Sequence, residues 1–192
     1  MSISQAIQAI QQTMEENGIR AETGLGDEMF LFASTLMPII NVDLLVTDSQ
    51  NNVLLSWRDD AHCGRGWHIP GGCIRFRETM AERIEKTALR ELGCKVRFDP
   101  EVLHVFEIII DQQRNIKTQQ ERAHSITLVI ACQAEENFSV ENQTKKMGEP
   151  GYLQWFPTLP DDLLEVQKCY HEQWTYIQSK LKGRYNYGHL EK

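Results

Sequence analysis

The stretch "WHIPGGCIRFRETMAERIEKTALRELGCKV", Trp67 to Val96, constrains the fold of this chain more than any other segment. A short strand, Trp67 to Ile69, runs into Pro70-Gly71-Gly72, and a charged turn leads to a helix. Thr79 with Glu82 three residues on forms a capping box, which starts the helix near Met80. Met80, Ile84, Ala88 and Leu92 recur at steps of four and give one apolar stripe, and Gly93 supplies a left-handed stop. Such a stripe has to be buried on another layer, so a helix packed on a sheet is expected. Thr87, Arg90 and Glu91 fall three and four residues apart and share one helix face.

The rest of the chain supplies the sheet. Pro38 to Thr47 is rich in β-branched residues, ends at the turn cluster "DSQNN", and is followed by Val53 to Trp57, so the two segments read as a hairpin. Further strands are expected at Leu103 to Ile110, Ile126 to Ala134 and Tyr152 to Phe156. The polar segment "DQQRNIKTQQERAH" between two of these reads as a long loop of the kind that forms lids or dimer contacts. Amphipathic helices are predicted at about 3–17 and about 161–182, and the stripe of the first is open to docking on the domain or on a second subunit. Strands before, between and after two main helices make the class α/β with a mixed, partly antiparallel sheet. With no repeat or low-complexity segment, residues 1–192 read as one domain flanked by those two helices.

Composition removes several function classes. A formal charge of -7 opposes general nucleic-acid binding, because backbone phosphates meet a repulsive mean field. Trp57 to Arg77 is the exception, with four arginines (Arg58, Arg65, Arg75, Arg77) against Asp59 and Asp60, a local +2 that draws a small anion. No apolar run approaches the roughly 20 residues that cross a bilayer, so no membrane partner is expected. Five cysteines without CxxC spacing, and a start lacking the pattern of a secretory signal, suit a reducing cytoplasm.

The loop and helix resemble the Nudix hydrolase family. Its box runs Gly, five residues, Glu, seven residues, then Arg-Glu-apolar-x-Glu-Glu-x-Gly-apolar. Here Gly72 opens the box, Glu78 takes the first acid position, and Gly93-Cys94 close it. The lead-in with Trp67, Pro70 and Gly71 is also similar. The resemblance implies a Nudix-type α/β/α sandwich. Lys86 stands at the Arg position, and of three acids only Glu91 remains, with Thr87 and Arg90 at the other two. A cluster of several magnesium ions would be poorly neutralised there, whereas one is compatible with a single acid.

The reduced box is similar to that of GDP-mannose mannosyl hydrolases within the superfamily. That likeness implies Mg2+-dependent hydrolysis of a nucleoside diphosphate sugar at the anomeric carbon, releasing sugar and nucleoside diphosphate, with Mn2+ as a possible substitute. Attack at carbon makes the diphosphate the leaving group, whose charge one cation and an arginine can stabilise. The resemblance assigns the diphosphate to Arg58, and the metal to the backbone oxygen of Gly71 and to Glu91. Family members carry a Gln-His pair, metal ligand then base, before an aromatic-x-Trp strand. The matching "KKMGEPGYLQWF" has no histidine, and Glu149 falls near the Gln position, open to either role. Arg65, Gly72 and His124 complete the candidate substrate contacts, and Glu78 reads as a brace for the loop. A homodimer with small nucleotide-sugar or nucleotide substrates is implied. Two alternatives stay open: a pyrophosphohydrolase attacking phosphorus with Glu82, Glu85 and Glu149 completing the acids, and a binding module without catalysis.

Overall fold

The computed structural model describes residues 1–60, 63–109 and 124–186. In chain order these hold α1 (Ile3–Glu16), α2 (Asp27–Ser34), β1 (Ile39–Val46), β2 (Val53–Asp60), β3 (Gly64–His68), β4 (Gly71–Cys73), α3 (Met80–Glu91), β5 (Val96–Ile109), β6 (His124–Ala134), β7 (Leu153–Phe156) and α4 (Cys169–Asn186). Single 3-10 turns lie at Val140–Asn142 and Glu165–Gln167. The polar segment at 111–123, together with His62 and His189, lies outside the described residues.

The strands form two sheets. One has the order β4-β1-β6-β5, with β1 and β6 parallel and the two outer pairs antiparallel. The other is the antiparallel set β3-β2-β7. Alternate residues of β1 point to opposite layers, as the pleat requires. Val42, Leu44 and Val46 pack with Ile84 and Ala88 of α3 and with Leu92 just after it, while Leu45 joins Tyr170, Trp174 and Ile177 of α4. Burial on both faces explains why β1 reads as a nearly continuous apolar run. The result is the α/β/α sandwich and mixed sheet expected from the resemblance.

Two elements depart from the expectation. β1 and β2 do not make a hairpin, because the chain leaves one sheet at Val46 and enters the other at Val53, with one isolated bridge from Thr47 to Val53. The turn itself is as its composition demands: the Asp48 carboxylate accepts from the Gln50 and Asn52 backbone amides at 2.9 and 2.8 Å, and Asn51 has φ 63°. α4 starts at Cys169 rather than 161, because the preceding residues run alongside β3. The Trp67 amide donates to Asp162 O at 3.0 Å, and the Leu164 amide donates to Trp67 O at 2.8 Å. The short α2 and β4 have no strong periodic signal of their own. α1 carries its capping box, Ser2 with Gln5, but buries no residue, and Ile3 and Ile7 stay exposed.

Candidate functional site

The site is built where α3 crosses the Pro-Gly-Gly turn. The predicted capping box is present: Thr79 Oγ1 accepts from the Glu82 amide at 3.2 Å and the Glu82 carboxylate accepts from the Thr79 amide at 2.8 Å. Glu78, just before the helix, braces the turn. Its carboxylate accepts from the Arg75 amide at 2.9 Å, Arg83 Nε at 2.7 Å and Lys86 Nζ at 2.9 Å. Burial pushes this carboxyl up, but these donors outweigh it and hold it down at about 2.

Fixed at both ends, α3 presents its three-residue face to β4. Thr87 is fully buried, and its Oγ1 has no hydrogen-bond partner among the described residues. A Cβ on Gly72 would lie 2.8 Å from that oxygen and 3.4 Å from Arg90 Nη2, so the close approach of helix and strand requires glycine. Arg90 Nη2 donates to Gly71 O and to Glu91 Oε1, both at 2.9 Å. The other Glu91 oxygen lies 3.2 Å from His68 Nε2. His68 Nδ1 in turn lies 2.8 Å from Ser56 O, so both ring nitrogens face oxygen acceptors. Burial pushes the Glu91 carboxyl up, yet the hydrogen bond and charge of His68 and the charge of Arg90 together hold it below its ordinary value.

Arg58 belongs to this neighbourhood. Ser56 and Arg58 alternate with Trp57 on β2 and so point to the α3 side. Burial disfavours the Arg58 charge, while Cys63, Asp60 and Glu91 favour it and raise its pKa. Arg58 Nε also pairs with the Asp60 carboxylate. The 148–151 turn lies against the same strand end, where the Gly151 amide donates to Trp57 O at 2.8 Å. Glu149, exposed in that turn, accepts from the Lys146 amide at 2.9 Å.

Two sequence candidates go elsewhere. Arg65 is paired in register with Asp59 on the opposite face of β2, beside Trp57, where its guanidinium lies 5.6 Å from the ring centre. His124 opens β6 and lies 3.2 Å from Glu107. Along β6 it is five residues from the Val129 position facing Asp43, about 16 Å at strand spacing.

One residue escaped the sequence reading. Asp43, in the middle of β1, is buried, and its Oδ2 accepts from Tyr170 Oη at 2.7 Å and Gln167 Nε2 at 3.1 Å. A Cβ on Gly71 would lie 2.3 Å from its Oδ1, so the carboxylate sits under the Pro-Gly-Gly turn. Burial raises its carboxyl to about 7 against the two hydrogen bonds, and the Glu91 charge adds to the rise. A lone acid inside an apolar strand was the available signal.

The charged face of α3 thus meets the Pro-Gly-Gly turn, with Gly71 O bonded by Arg90, on a mixed α/β/α sandwich. The chain matches the NUDIX domain over residues 37–168, well over half its length, and it belongs to the Nudix family. The low-salt glycan biosynthesis protein Agl8 of Haloferax volcanii is 25% identical over 118 residues, covering 60% of this chain and 74% of that protein. A possible asymmetric diadenosine tetraphosphate hydrolase from Jonesia denitrificans superposes with TM-score 0.55 at 16% identity, over 76% of this chain and 98% of that one. A UDP-X diphosphatase superposes with TM-score 0.53 at 21% identity, over 77% of this chain but only 64% of its own. Both structural likenesses concern the fold.

Nudix hydrolases generally use a divalent metal such as Mg2+. The residues here do not fit one. Both protein ligands assigned to it, Gly71 O and Glu91, are bonded by Arg90, and His68 faces the second Glu91 oxygen. Among the described residues no group of three or more His, Cys, Asp or Glu side chains is arranged to hold a metal ion. A hard dication prefers several carboxylate or carbonyl oxygens, and here it would lie against a guanidinium instead.

Proposed function

We propose that this Nudix hydrolase cleaves a nucleoside diphosphate sugar by attack of water at the anomeric carbon. The observation that carries the reading is the charge exchange on α3: Thr87 and Arg90 stand where carboxylates would gather cations on a reacting phosphoryl group. Attack at phosphorus gains most from such clustered cations. Attack at carbon needs instead that the departing diphosphate be stabilised as the bond electrons reach its oxygen, which a guanidinium does well. Water adds to the sugar carbon, the bond to the diphosphate oxygen breaks, and the water proton passes to a base.

In this reading Arg58 binds the leaving diphosphate, and Glu149 is the base, since it is an exposed carboxylate on the turn held against the end of β2. The sugar-nucleotide class rests on the reduced box, and the name of the Agl8 relative, a glycan biosynthesis protein, is consistent with it. A homodimer belongs to the same proposal and is supported by the resemblance alone.

A second reading has its own support. Both oxygens of Glu91 face protein partners, as expected of a site that binds and does not turn over. A screen of nucleotide sugars and dinucleotides, with Mg2+ and with chelator, that resolves free sugar, monophosphate and diphosphate separates the readings. Release of free sugar with nucleoside diphosphate supports hydrolysis at carbon. Monophosphate products, or binding with no products from any substrate, would refute it.

A further inference from the structure

The contacts of Arg90 bear directly on how the site meets an anion. We propose that Arg90 is the resident cation of this site, and that together with Arg58 it binds the diphosphate of a nucleoside diphosphate without any divalent metal. The ligand class rests on the reading above; the role of Arg90 as the cation does not.

The geometry is specific. One guanidinium nitrogen bonds both oxygens that a metal would need, Gly71 O and Glu91 Oε1, each at 2.9 Å. Both bonds use Nη2, so they leave the other guanidinium donors unused, and the side chain is 52% exposed. Glu91 is 16% exposed and is held by His68 from its other side, which makes it a fixed anchor for Arg90 and a positioning residue here. Gly72 keeps the backbone close, because a Cβ there would press on Thr87 Oγ1 and Arg90 together.

The charge balance points the same way. Three carboxylates on this face would repel a diphosphate unless dications intervened. Thr87, Arg90 and Glu91 instead sum to zero, one positive charge against one negative. Such a face gives a dication little attraction and does not repel a diphosphate. A guanidinium also matches phosphate oxygens in bidentate fashion, which replaces the geometric role of a metal as well as its charge.

The experiment is titration calorimetry of the full chain with GDP and with UDP, in EDTA and in Mg2+. Binding should persist in EDTA and change little with Mg2+, and Arg90→Gln should weaken it about tenfold or more. Thermal melting should show that this exposed substitution leaves the fold intact. Binding that appears only with Mg2+, or an Arg90→Gln variant that binds as tightly as the parent, would overturn the proposal. A Mn2+ titration read by electron paramagnetic resonance gives a second, nucleotide-free test. The parent chain should not deplete free Mn2+, whereas the Thr87→Glu, Arg90→Glu double variant should. Tight Mn2+ uptake by the parent overturns the claim for Arg90. Failure of both nucleotides to bind in either buffer would remove the ligand class, while the Mn2+ result still decides the cation.

Discussion

Asp43 shows how much of this site is written by contacts remote in sequence. Its partners Gln167 and Tyr170 are 124 and 127 residues away, so nothing near "NVDLLV" announces a buried, hydrogen-bonded acid. With a folded value near 7 against 3.8, the native state keeps a proton that the unfolded chain has lost. Its contribution to stability is therefore complete below about pH 4 and disappears as pH rises through about 7, about 4 kcal/mol in all. Asp43→Asn cannot titrate, so its stability relative to the parent should improve by at least about 2 kcal/mol between pH 5 and pH 8. Urea unfolding at the two pH values measures this, and a constant difference would show that Asp43 does not carry the extra proton. Glu149 is the converse case, an exposed acid placed by the family likeness. Glu149→Gln should lower kcat by about 100-fold or more while nucleoside diphosphate still binds. Steady-state kinetics beside calorimetry tests that separation of roles.

At the level of elements, α3 was fully legible because its signals are local: the capping box, the stripe and the Gly93 stop all lie within the helix and its ends. Spacing also placed Thr87, Arg90 and Glu91 on one face. It did not reveal that Arg90 reaches back to Gly71 O, because that bond depends on how α3 docks on β4. The β1–β2 connection fails for a related reason: a turn cluster looks the same whether the chain returns to its own sheet or passes to another. Gly72→Ala tests the docking. The added Cβ meets Thr87 Oγ1 at 2.8 Å and should cost about 1–3 kcal/mol, and Thr87→Ala in the same chain should recover part of that loss. Chemical denaturation of the two single variants and the double variant gives the coupling directly. α1 makes the opposite prediction. It buries no residue, so removing residues 1–18 should move Tm by no more than about 2 °C. A larger fall in differential scanning calorimetry would mean that a second copy covers its stripe in solution.

For the molecule as a whole, the two sheets and two helix layers converge on one place, the Pro-Gly-Gly turn between β3 and β4. α3 approaches it from one side, and Asp43 on β1 supports it from beneath. The sequence pointed to this turn through its likeness to the Nudix box, with Thr87 and Arg90 standing where that box has acids. The consequence of the replacement is a matter of geometry: a cation belonging to the chain, Arg90, holds Gly71 O and Glu91 Oε1, the two oxygens that the resemblance assigns to a metal. None of the described helices is long and apolar enough to cross a membrane. The account stands on cleavage at carbon with an arginine-stabilised leaving group, and hydrolysis in oxygen-18 water reads the broken bond directly. Mass spectrometry should find the label in the released sugar and none in the nucleoside diphosphate. Label in a phosphate product would place the attack at phosphorus and contradict the account.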